Sequence, residues 1–158
     1  MEIKLKLKVF IAEFVSFLFV LLFIYAASSK LFDFQKFQVQ LAKSPLVAPF
    51  VGWIIWFVPV IEISVAVLLT IKKYQLIALY AAFTVMVSFT SYIIAILNFS
   101  EYIPCSCGGI LQNMTWQQHL VFNIVFVGLG LVAILIYPYE KRAIAIEGEA
   151  ENLNQSRR

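Results

Sequence analysis

Charge is the scarcest thing in this chain: only 13% of its 158 residues are charged, about half the share found in ordinary soluble domains. With 62% of the residues hydrophobic, that scarcity excludes an ordinary soluble domain and leaves a membrane protein. Four spans of about 20 residues each would consume most of the length, so a large extramembrane domain is excluded as well. The basic residues form no patch of the kind that nucleic-acid binding requires, and there is no internal repeat or low-complexity tract. Cysteine is nearly missing too. The two present both lie in Pro104-Cys105-Ser106-Cys107-Gly108-Gly109, in the longest polar gap of the C-terminal half.

The few charges that are present have an ordered distribution. Lys4, Lys6 and Lys8 precede the first apolar run, Lys72 and Lys73 follow the second, and Lys141 and Arg142 follow the fourth. Basic clusters beside alternate spans mark the cytoplasmic side. With Arg157 and Arg158, nine of the twelve basic residues fall inside, and Lys30, Lys36 and Lys43 fall outside. The expected fold is therefore all-α: a polytopic four-transmembrane-helix bundle, both termini cytoplasmic, the cysteine loop extracytoplasmic. Spans are expected at about 9–27, 51–71, 75–97 and 116–137, giving a membrane domain over 1–137 and a polar cytoplasmic tail over 138–158. The first run exceeds the roughly 7–15 apolar residues of a secretory signal, so it reads as a retained anchor. After it, Phe34, Phe37 and Leu41 recur at helical spacing with charges between them, which predicts a short amphipathic helix at the outer interface.

Polar residues inside the spans are the next signals. Glu62 stands near the middle of span two, three residues after Pro59, which is expected to kink that helix. An acid at that depth is costly and marks a functional candidate, a proton relay or quinone site, against the alternative of a protonated acid bracing the kink. Glu13 lies nearer the cytoplasmic edge, where it can snorkel. Thr84, Ser88 and Ser91 share one face of span three, a face expected to point into the bundle. Thr115 with Gln118 matches a capping box at the head of span four. One turn apart, His119 and Asn123 then share a face close to the cysteine loop.

The oxidising side of a membrane lets disulfides form and persist. Extended, Cys105 and Cys107 have Cα atoms about 6.6 Å apart, at the upper end of the roughly 4.4–6.8 Å seen in disulfides. A bridge between them needs a turn, which Gly108 and Gly109 permit, and strained exposed bridges are the ones that exchange. The head of span four favours a thiolate, and His119 can accept or supply a proton. Cys105, Cys107 and His119 are thus the catalytic candidates of a thiol–disulfide site. Against this stand two small structural cysteines, a bridge to another chain, or soft Cu(I) held by the paired thiolates with only Met114 near.

Taken together, Ser29-Lys30-Leu31-Phe32-Asp33-Phe34, Pro59-Val60-Ile61-Glu62 and Pro104-Cys105-Ser106-Cys107-Gly108-Gly109 followed by Trp116 and His119 resemble the MauE branch of the DoxX-like membrane proteins, in a form similar to those of Bacteroidetes. The resemblance runs from about Val9 to Tyr137. It implies a four-helix inner-membrane protein linked to methylamine utilisation, acting beside a thioredoxin-like partner in maturing a disulfide-rich envelope protein. Relatives on the DoxX side imply quinone as an electron carrier. Cys105 and Cys107 carry over as redox candidates, with Glu62 as a possible quinone or proton site and Lys30 and Asp33 as family-like positions. A non-catalytic assembly subunit, whose cysteine loop is recognition surface, is the rival from another class.

Overall fold

The computed structural model describes residues 2–44, 47–99, 115–137 and 155. In chain order the helices are α1 (Glu2–Phe32), α2 (Phe34–Lys43), α3 (Val51–Thr70), α4 (Gln75–Phe99) and α5 (Trp116–Ile136), with a short 3-10 turn at Ala48–Phe50 leading into α3. No strand occurs among the described residues. The cysteine-bearing segment 100–114, Pro45 and all of the 138–158 tail but position 155 lie outside the described residues.

Four of the five helices are long and apolar enough to cross a bilayer, so the protein is an integral membrane protein with an all-α polytopic fold. In a bilayer core the backbone must satisfy its own polar groups, and a helix does so within one segment. α1 has 31 residues, about 46 Å of helix, which outruns the roughly 30 Å hydrocarbon core. The exposed surface is correspondingly oily. Phe10, Phe14, Phe17 and Leu21 face outward on α1, and Trp53, Trp56 and Phe57 on α3.

The bundle is two helix pairs set side by side, α1 packed chiefly on α3 and α4 chiefly on α5. Near the α3–α4 turn the pairs close tightly. Phe19, Phe23, Val65, Leu69, Leu79, Ala82 and Ile134 form one buried cluster there, with Phe19 packed edge-on against Phe126 at 5.5 Å between ring centres. A polar clasp lies at the same end. Gln75 Nε2 donates to Ser16 Oγ at 3.1 Å, Ser16 Oγ donates to Ala12 O, and the Tyr137 hydroxyl reaches Gln75 Oε1 at 3.5 Å. Beyond it Lys72 pairs with Glu13 at 2.6 Å, so the acid expected to snorkel has a cation beside it.

At the opposite end α2 lies across the start of α3. Phe37, Leu41 and Ile55 are buried together, with Phe34, Val47 and Val58 against them. The short helix after the first span is thus amphipathic, as the Phe34, Phe37, Leu41 spacing requires. The hydroxyl face of α4 is a correction: Thr84, Ser88 and Ser91 are exposed rather than turned into the bundle. Thr84 and Ser88 satisfy themselves by donating to the carbonyls of Tyr80 and Thr84, each at 2.9 Å. A hydroxyl that bonds its own helix needs no neighbouring one, and it can face lipid.

Candidate functional site

The site is set by where α1 and α3 cross. Lys30 falls in the last turn of α1, and Glu62 sits one turn beyond Pro59 in α3. Between them, Lys30 Nζ donates to Glu62 Oε1 at 2.7 Å and also to Ala26 O at 3.2 Å. Glu62 has no exposed side-chain surface and Lys30 has 13%. Its second oxygen, Oε2, is buried with no hydrogen-bond partner among the described residues. The rings of Phe37 and Phe89 each lie with their centres 5.9 Å from Lys30 Nζ, a placement in which aromatic faces favour a cation.

Two charges this deep are expensive to desolvate and hold each other only through good geometry. Their short contact makes the pair neutral as a unit. One carboxylate oxygen is left over, buried, and Glu62 is among the residues around a cavity.

That cavity has a volume of about 310 Å³ and lies between the two helix pairs, at the end where residues 100–114 join α4 to α5. α1 and α3 supply Lys30 and Glu62, α2 supplies Phe37, α4 supplies Phe89 and Tyr92, and α5 supplies Trp116, His119 and Asn123. Its walls are mainly aromatic and aliphatic, with polar groups at few points, the pattern of a small-molecule pocket. His119 Nδ1, like Glu62 Oε2, is buried with no hydrogen-bond partner among the described residues.

The head of α5 is fixed by a full capping box. Thr115 Oγ1 accepts from Gln118 N at 3.3 Å, and Gln118 Oε1 accepts from Thr115 N at 2.9 Å. This cap sets the first turn, and so the direction in which His119 and Asn123 project. Both line the cavity.

Of the residues singled out in the sequence, Glu62, His119, Asn123 and Lys30 come together here. Asp33 does not: it ends the break between α1 and α2, with its carboxylate 3.9 Å from Lys36. Cys105 and Cys107 lie outside the described residues. Sequence reading missed the direct partnership of Lys30 with Glu62 and the lining by Phe37, Phe89 and Tyr92. A lone lysine at the end of one span and a lone acid within the next were the available signal, because unpaired ions are not tolerated at such depth. Among the described residues no three His, Cys, Asp or Glu side chains gather as a metal site.

Comparison with known proteins adds one result. The family described as "Methylamine utilisation protein MauE" matches residues 8–136, a stretch that takes in all four long helices and the linking segment. No curated protein and no solved structure matches the chain.

Proposed function

Because this chain belongs to the MauE family, we propose that it is a thiol–disulfide redox component of the inner membrane, acting with a thioredoxin-like partner in the maturation of envelope proteins. Its Cys105 and Cys107 exchange with the partner, and the electrons pass to or from a membrane-soluble carrier such as a quinone. The family's link to methylamine utilisation names the process served. In this reading both termini and the 138–158 tail are cytoplasmic, and the cysteine segment faces the oxidising side.

One observation carries the proposal: the segment that bears the two cysteines joins α4 to α5 at the end of the bundle that holds the cavity and its buried Lys30–Glu62 pair. A scaffold subunit that only offers docking surface has no use for a costly ion pair beside an internal pocket. The chemistry balances with a two-electron carrier. When Cys105 and Cys107 form a disulfide, two electrons and two protons leave the thiols, and a quinone takes up both to become a hydroquinone.

Trapping tests the exchange. Cys105→Ser or Cys107→Ser should leave one thiol that accumulates as a mixed disulfide with an envelope protein, seen on non-reducing gels and released by reductant. If neither variant traps a partner and both keep full function in the cell, the exchange reading is wrong and the scaffold reading takes its place.

A further inference from the structure

Asn123 is a polar side chain with nothing to hold. From Leu120 to Ile136 it is the only side chain of α5 able to hydrogen-bond, and it is just 4% exposed. Asn98 on α4 shows one way an asparagine in a span is satisfied: its amide donates to the carbonyl of Ile94, one turn back, at 2.7 Å. The amide of Asn123 makes no hydrogen bond of this or any other kind among the described residues. Unlike Glu62 Oε2 and His119 Nδ1, neither of its polar atoms is fully enclosed, and the residue lines the cavity. An amide buried without partners is costly. A ligand that supplies them removes the cost.

The amide defines what that ligand carries. Its NH2 needs an acceptor and its oxygen needs a donor. A second amide with N–H and C=O on the same side meets both, in a closed pair of near-linear hydrogen bonds. A carbonyl alone, as in an ester or a quinone, leaves the Asn123 oxygen bare, and a single hydroxyl reaches both atoms only through bent bonds. A carboxylic acid offers the same pair only when protonated. The ligand is neutral, because the two charged side chains on the wall, Lys30 and Glu62, are spent on each other at 2.7 Å, and an ion would be desolvated with no partner. Walled by Phe37, Phe89 and Phe122, the cavity holds about 310 Å³, roughly twice the 150 Å³ of an apolar cavity that takes benzene. That is room for two fused rings or a short chain.

We propose that the cavity binds a membrane-soluble neutral molecule with an apolar body and a primary carboxamide or lactam, read by the side-chain amide of Asn123. No cysteine takes part, so the site stands whether or not Cys105 and Cys107 exchange.

The test uses the full chain in nanodiscs, with empty discs as the reference for partition into lipid. The probes are two matched pairs followed by equilibrium dialysis: 2-quinolinone with its N-methyl form, and 2-naphthamide with its N,N-dimethyl form. In at least one pair the unblocked member should bind about tenfold more tightly, the size of one hydrogen bond, and the pair that shows it tells a lactam from an open carboxamide. Asn123→Leu, similar in shape, should abolish the preference and raise the unfolding midpoint in detergent, because it removes an amide that has no partner. A merely structural asparagine would do the reverse, its loss lowering the midpoint. Equal binding of blocked and unblocked probes, no binding at all, or a preference that survives Asn123→Leu would overturn the proposal. A variant that melts lower or fails to fold would overturn it too, as would 2-methyl-1,4-naphthoquinone binding more tightly than either amide. Trapping at the cysteines is read separately, so failure here leaves the exchange untouched.

Discussion

Glu62 gives one carboxylate oxygen to Lys30 and keeps the other buried without a partner among the described residues, so the two residues are bound to each other's fate. Removing one charge strands the other in a nearly dry site, at a cost of about 3–5 kcal/mol. We expect Lys30→Met alone to lower the unfolding midpoint in detergent sharply. Lys30→Met combined with Glu62→Leu should recover most of the loss, since an apolar pair of similar volume is often neutral or better. Additive losses in the double variant would show that the two charges stabilise the bundle separately. A smaller effect belongs to Thr115. Thr115→Ala removes the side-chain half of the capping box and should cost about 1 kcal/mol, measurable in the same unfolding experiment. That cap was legible in the sequence because Thr and Gln three apart at the edge of an apolar run is a local pattern. The Lys30–Glu62 contact was not, because its two members are 32 residues apart and nothing local records which faces of α1 and α3 meet.

Helix α5 comes close to α1 and α4 at a small residue, Gly130. A Cβ on Gly130 would stand 3.2 Å from Phe19 Cζ and 3.5 Å from Phe83 Cδ2, and Phe19 is fully buried with nowhere to retreat. Gly128, two residues earlier, would meet nothing within 4 Å. Gly128→Ala should therefore gain up to about 1 kcal/mol from helix propensity, while Gly130→Val should lose about 1–3 kcal/mol through overpacking. Thermal unfolding of both variants in detergent separates them, and equal behaviour would mean that the α1–α5 contact is looser than its geometry. At this scale much could be read in advance: four long apolar runs, a short amphipathic helix between the first two, and charged or polar breaks. The facing of α4 was misjudged. Thr84, Ser88 and Ser91 at helical spacing identify a stripe but carry no sign for inward or outward, and hydroxyls that bond their own backbone remove the need to turn inward.

For the molecule as a whole, orientation is the first consequence to check. A membrane-impermeant thiol reagent should label Cys105 and Cys107 in intact cells after mild reduction and outer-membrane permeabilisation, and labelling only from the cytoplasmic side would reverse the topology. The all-α bundle was legible from hydropathy because a bilayer allows few other solutions. The cavity was not, since it arises where two helix pairs fail to meet, and that depends on distances rather than on residue types. The same arrangement gives the bundle a mechanical character. Ser16, Gln75 and Tyr137 bind the pairs at one end, and at the cavity end the Tyr92 hydroxyl on α4 donates to Ser44 Oγ, at the end of α2, at 2.9 Å, so the pairs are tied on both sides of the cavity. Spin labels at positions 10 and 77, and at 31 and 94, should both give narrow distance distributions in a cysteine-free background, and a broad one at 31 and 94 alone would show that the Tyr92–Ser44 tie opens. The cavity thus lies between two polar ties, like the gap between two rungs of a ladder.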